Sequence, residues 1–257
     1  MKKILMVLSI LLFFAGQASA DLINPGRPIT PYLDGSMDLQ DVFNGIAVGV
    51  PIDAINDQSN VAIFTRQASG GSFTTFIFTD IMGGSDAVGL YSALDPTKML
   101  MIFAGTPVPG ANQAVQFLAN GSVQLFNQPD TNIPGFGSVF GFYFTAAAWG
   151  TFSSEDSKNA AYVPTWPDPA FMLSYAGDGT KTLNIGGAGG FSFATNEWIF
   201  AFEGVPHIVN GVYMKDFNDA VFLVESIQPA VPEPATMLLL GSGLIGLAGF
   251  ARKRFKK

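Results

Sequence analysis

The feature that most constrains this chain is a rhythm. Short apolar, β-branched and aromatic segments recur along it, each closed off by Gly, Pro, Asn or Asp. The clearest are "NVAIFTRQ", "FTTFIFT", "AVGLY", "KMLMIFAG", "SVFGFYFT", "AFMLSY", "EWIFAFE" and "AVFLVESI". Segments of this length and composition read as strands, and a series of them at roughly 8–15-residue spacing builds a β-sandwich or a jelly roll. The expected fold class is therefore all-β, with a single body spanning residues 21–230. The chain has no cysteine, so the body has no disulfide staple, no thiolate zinc site and no cysteine nucleophile. Its stability has to come from its core, and a length of about 210 residues is enough for one substantial core.

Local signals refine this picture. The pairs Asn120-Gly121 and Asp178-Gly179 supply the residue types that a type I′ turn needs, which predicts two tight hairpins. Asn120 also heads a glycosylation sequon, but the turn accounts for it. One short helix is expected in "DGSMDLQDVFNGIAV": Leu39, Val42, Phe43 and Ile46 fall on one helical face, Ser36 stands where an N-cap would, and Gly45 lies near the exit. The glycine cluster at 186–190 lacks the Lys-Ser/Thr ending of a phosphate loop and reads as a turn.

The charge is unevenly distributed. Between Asp21 and Val231 there are six Lys or Arg against 19 Asp or Glu, a net of −13, whereas both ends of the chain are basic. A body this acidic repels phosphate backbones, so no nucleic-acid partner is expected; calcium or basic surfaces are more natural company.

The two ends carry an address. Residues 1–20, "MKKILMVLSILLFFAGQASA", have Lys2 and Lys3, an apolar run of 12 residues from Ile4 to Ala15, and small residues at Ala18 and Ala20. That is the pattern of a signal peptide read by the general secretion machinery and cleaved before Asp21. Residues 231–257 open with Pro232, Glu233 and Pro234, continue with an apolar run of 16 residues from Ala235 to Phe250, and end in Arg252, Lys253, Arg254, Lys256 and Lys257. As a helix that run is about 24 Å long against a hydrocarbon core of about 30 Å, a marginal span. The basic tail would stay on the cytoplasmic side and the acidic body across the membrane. The order of Pro-Glu-Pro, glycine-laced apolar helix and Arg-Lys-Arg tail resembles the PEP-CTERM sorting signal of Gram-negative bacteria that make extracellular polysaccharide. The resemblance implies processing by an intramembrane exosortase, a transient stay in the inner membrane, and delivery to the cell surface or matrix. The body, through "LQDVFNGI", "AVGLYSALDP", "GFYF", "WIFAFEG" and "DFNDAVFLVES", resembles an uncharacterised all-β domain of secreted, adhesin-like bacterial proteins. That resemblance implies fold and surface location rather than an activity.

Chemistry is sparse. Asp216, Asn218 and Asp219 place three oxygen-bearing side chains in four residues at a strand entrance, and Glu203 leaves the preceding strand toward the same loop. Calcium takes 6–8 hard oxygen ligands, which this set begins to supply; a metal-free network of turn caps accounts for "DFND" equally well. Asp53, Asn56 and Asp57 form a second cluster that reads as a polar loop. Glu203 and Asp219 are also the residue types of a glycosidase pair, but no supporting motif accompanies them, and the lone His207 has no nucleophile beside it, so no enzyme is expected. Exposed rings stack on sugars, and Trp166, stiffened by the prolines of "VPTWPDP", is the best candidate, with Trp149 and Tyr32 behind it; Trp198 reads as core. The sequence thus points to an exported structural or adhesive surface protein, with calcium as a candidate stabiliser. The alternative is a carbohydrate-binding module for the organism's own exopolysaccharide.

Overall fold

"EWIFAFE" has no polar residue between Glu197 and Glu203, so a strand built from it has to be buried on both faces. In the computed structural model it is. The structure describes residues 23–32, 37–67, 71–78, 86–162, 168–187, 189–204, 207–209 and 212–230. The signal-peptide segment, the whole Pro-Glu-Pro tail, Ser36 and Trp166 lie outside these residues. Among the described residues no helix is long and apolar enough to cross a membrane.

The strands, numbered in chain order, form two main sheets. The larger runs β1 (Gln58–Ser59), β11 (Met172–Ala176), β14 (Glu197–Phe202), β17 (Ala220–Glu225), β3 (Gly71–Phe78), β6 (Asn112–Phe117), β7 (Val123–Leu125) and β8 (Gln128–Ile133). The smaller runs β18 (Ile227–Pro229), β2 (Phe64–Arg66), β9 (Val139–Ala146), β4 (Ala87–Ser92) and β5 (Met99–Ala104), with β10 (Gly150–Ser153) folded back on β9. Every pairing in them is antiparallel. Two small hairpins, β12 (Thr182–Leu183) with β13 (Phe191–Ser192) and β15 (His207–Val209) with β16 (Val212–Met214), stand apart.

Alternation along the strands sorts the layers. Trp198, Phe200 and Phe202 of β14 face the smaller sheet, where they join Phe64, Phe140, Phe142, Phe144 and Phe222 in one core. Phe142 and Phe200 meet across the gap at 4.2 Å between ring centroids, their planes tilted by 31°, and Phe64 meets Phe200 edge-on at 5.1 Å. Ile199 and Ala201 face the other way and pack with Leu39, Val42 and Phe43 of helix α1 (Leu39–Ile46), which covers the outer face of the larger sheet. The described residues form a mostly-β sandwich of two sheets with helix α1 on its flank and a 3₁₀ helix at Asp156–Tyr162.

Three local expectations are corrected. The helix is capped by Asp38, not Ser36: the Asp38 carboxylate accepts the Asp41 N–H at 3.0 Å and so closes the first turn that begins at Leu39. The Asn120-Gly121 hairpin forms between β6 and β7, but only Gly121 has a positive φ, of 80°. Gly121 N–H bonds the Leu118 carbonyl and Leu118 N–H bonds the Ser122 carbonyl, the pattern of a type I turn ending in a glycine bulge rather than a type I′ turn. Asp178-Gly179 makes no hairpin at all. β11 pairs with β14 and β1, and Gly177 and Gly179 donate to the carbonyls of Glu197 and Phe193, so partners further along the chain outcompete the local turn.

Candidate functional site

The chain leaves the sandwich core at Phe202, and the next residue is the buried Glu203. Its own N–H is spent on the Phe171 carbonyl at 3.0 Å, which fixes where its side chain starts. Gly204 follows because nothing larger fits: a Cβ there would stand 2.3 Å from the Phe144 ring. The "DFND" loop comes back to this point before entering β17. Phe217 sits in the left-handed region at φ 57°, a conformation a bulky residue adopts only under tertiary constraint. Its ring is held in the outer core with Val221 and Leu223. The kink turns two successive N–H groups, of Asp216 and Phe217, onto Glu203 Oε2 at 2.9 and 3.1 Å, a small backbone nest around a carboxylate.

The other residues close in around it. Asp219 Oδ2 accepts the Gly204 N–H at 2.5 Å, and the Asp219 N–H bonds the Phe202 carbonyl at 3.1 Å. Carboxylate oxygens of Glu203, Asp216 and Asp219 all lie within 4.8 Å of one another. Asn218 is buried and its Nδ2 donates to the Met37 carbonyl, tying the loop to the residue before the helix cap. Among the described residues, two buried oxygens, Glu203 Oε1 and Asn218 Oδ1, have no hydrogen-bond partner. Burial pushes the Glu203 carboxyl well above the usual carboxylate range, and the charges of Asp219 and Asp216 push it further. Lys215, next to the loop in sequence, holds its ammonium on the carbonyls of Asp168 and Ala170 and lies 3.9 Å from the centre of the Phe171 ring. Its pKa is lowered to about 8 by burial, against the pull of Asp168, Glu203 and Asp156.

The four residues singled out in the sequence, Glu203, Asp216, Asn218 and Asp219, are thus brought together at one corner of the sandwich. Such an arrangement can hold an ion or a proton. Glu203 and Asp219 are only 1% and 4% exposed, which leaves a glycosidic oxygen no way in between them. Asp53, Asn56 and Asp57 form a turn: Asp53 caps the N–H groups of Ile55 and Asn56, and Asp57 pairs with Lys181 at 2.9 Å. Trp198 is buried, Tyr32 half-buried, and Trp149 stands 48% exposed at the turn between β9 and β10. His207 opens β15 rather than lying in a loop.

Two polar clusters had no signal in the sequence. Arg27 pairs with Asp156 at 3.0 Å and also donates to the Met172 carbonyl, while Asn24 bridges Ser154 and Asp156, so the N-terminal segment clamps one end of the sandwich. Tyr91 donates to Glu155 at 2.7 Å on the outer face of the smaller sheet.

Comparison with known proteins adds one decisive observation at the end of the chain. Residues 230–254 match the PEP-CTERM protein-sorting motif. The motif opens at Ala230, the last described residue, whose N–H closes onto the Ile63 carbonyl at 2.9 Å. No curated protein and no solved structure matches the chain. The PEP-CTERM motif implies an exported protein whose membrane-anchored precursor is processed by exosortase.

Proposed function

We propose that this is a structural or adhesive component of the surface or extracellular matrix of a Gram-negative bacterium. The observation that carries the reading is the sorting motif at residues 230–254, which begins at the last described residue of the body. A body with its own core that continues past β18 into a sorting signal reads as cargo of that sorting route. Among the described residues the main apolar clusters lie between the two sheets and under the helix, and Glu203 and Asp219 at the acidic corner are buried, which favours a scaffold or contact surface.

The test is to express the full chain in a host with and without its exosortase and to follow it by fractionation. Release of a shortened chain to the surface or matrix fraction only when exosortase is present is the expected result. An identical distribution in both strains sinks the reading. The exposed Trp149 favours a second reading, a module that binds the organism's own exopolysaccharide. Pull-down on that polymer, lost on Trp149→Ala or Trp166→Ala, would promote it over the structural role.

A further inference from the structure

We infer that the corner formed by Glu203, Asp216, Asn218 and Asp219 is a calcium site that fastens the "DFND" loop and the start of helix α1 to the end of β14. Acidic clusters are common on protein surfaces and signify little there; this one is different because of what is buried in it. Glu203 is 1% exposed, its Oε2 accepts two backbone N–H groups, and among the described residues no donor reaches its Oε1, which lies in a set of carboxylates within 4.8 Å of one another. A buried carboxylate oxygen left so costs more than an ordinary missing hydrogen bond, and a cation removes that cost. Asn218 Oδ1, in the same loop, is a second buried oxygen with the same need.

The donor set and its size select the ion. All the ligand atoms are oxygens from carboxylates and an amide, the hard donors of calcium rather than the nitrogen and sulfur of zinc. Oxygens 2.3–2.6 Å from one calcium ion stand up to about 4.6–5.2 Å apart across it, whereas magnesium at 2.0–2.1 Å allows only about 4.0–4.2 Å. The three carboxylates, all within 4.8 Å of one another, fit inside the first limit. Lys215 keeps its ammonium on the Asp168 and Ala170 carbonyls, with Glu203 among the charges that pull on it.

Binding also reaches beyond the corner. Asn218, in the loop that the ion would fasten, holds the Met37 carbonyl through its Nδ2, one residue before the helix cap Asp38. An ion on Asp219 steadies the carboxylate that holds Gly204 at the end of β14. One consequence rests on the export reading: a site of the weak, extracellular class, with Kd of about 10⁻⁴–10⁻³ M, stays empty during synthesis and fills outside the cytoplasm, so the body tightens only after export.

The experiment uses the full chain purified in mild detergent, stripped with chelator and then titrated with CaCl2 or MgCl2, with heat of binding and thermal midpoint as readouts. Calcium at 100 times its Kd should raise the folding constant about 100-fold, and magnesium should do much less. Glu203→Gln should remove the calcium response and raise the midpoint of the calcium-free protein, because an amide relieves the carboxylate repulsion. Asp216→Asn, at a half-buried position, should remove the calcium response without endangering the fold. A folded parent that gives neither heat nor a shift with CaCl2 overturns the inference. So does a shift of equal size in both variants, which would put the ion elsewhere. These outcomes are independent of fractionation, so the site and the sorting reading fail separately.

Discussion

One strand joins two opposite environments. Trp198, Phe200 and Phe202 of β14 end in an interior of stacked rings, and the very next residue, Glu203, opens a corner of buried oxygens. In the interior, attraction depends on area and close packing, so many ring arrangements would serve and the surroundings correct for small misfits. At the corner, every atom matters: two N–H groups reach one oxygen of Glu203, a third reaches Asp219, and a left-handed Phe217 makes the geometry available. The difference teaches that in this molecule apolar bulk supplies the stability and the polar corner supplies definition.

That contrast can be broken or sharpened by substitution. The largest effect is expected in the interior: Phe142→Ala or Phe200→Ala, each removing one partner of the 4.2 Å ring contact, should cost about 3–5 kcal/mol in urea unfolding. A cost below about 1 kcal/mol would mean the rings are not where the stability resides. Next comes the clamp at the sandwich end. Arg27→Ala leaves Asp156 buried without its cation and should cost about 3 kcal/mol, whereas replacing both partners with apolar residues should recover most of it.

A smaller effect depends on pH. Burial pushes the Tyr143 phenol up to about 12, from 10.0. The folded state therefore keeps a proton that the unfolded chain gives up near pH 10, and stability falls as pH rises from about 10 to about 12, by at most about 2–3 kcal/mol. Thermal melts in that window should flatten in Tyr143→Phe, and an unchanged slope would remove Tyr143 as the cause. At the helix beside the corner, Asp38→Ala should cost about 1 kcal/mol through loss of the cap. Least of all, Trp149→Ala on the exposed turn should stay within about 0.5 kcal/mol, leaving only surface contacts to respond.

Much of this was legible in the sequence, for physical reasons. A strand buried on both faces writes itself as an unbroken apolar run, and "EWIFAFE" and "AVFLVESI" did so. Helix α1 wrote its buried stripe at Leu39, Val42 and Phe43. The acid corner was half legible: Asp216, Asn218 and Asp219 are neighbours in the chain, and Glu203 could be placed with them from the end of its strand. What could not be read was that Glu203 is sealed and that one of its oxygens is left over, since both depend on Gly204, Phe171 and Phe217. Long-range partners were also invisible. Arg27 and Asp156 are 129 residues apart, and Asp178-Gly179 carries a hairpin signal that the longer ladder between β11 and β14 overrides.

The bond from Ala230 to Ile63 sets the length of a leash. Between that bond and the apolar run that begins at Ala235 there are four residues, 231–234, which extend to about 14 Å at most. A precursor anchored through that run would ride close against the lipid with the rim that carries β18 and β2 turned toward it. It could slide in the plane but scarcely tumble, so neighbouring copies would meet again and again in one orientation. Crowding of that kind raises their effective concentration before release, without any new contact being built into the chain.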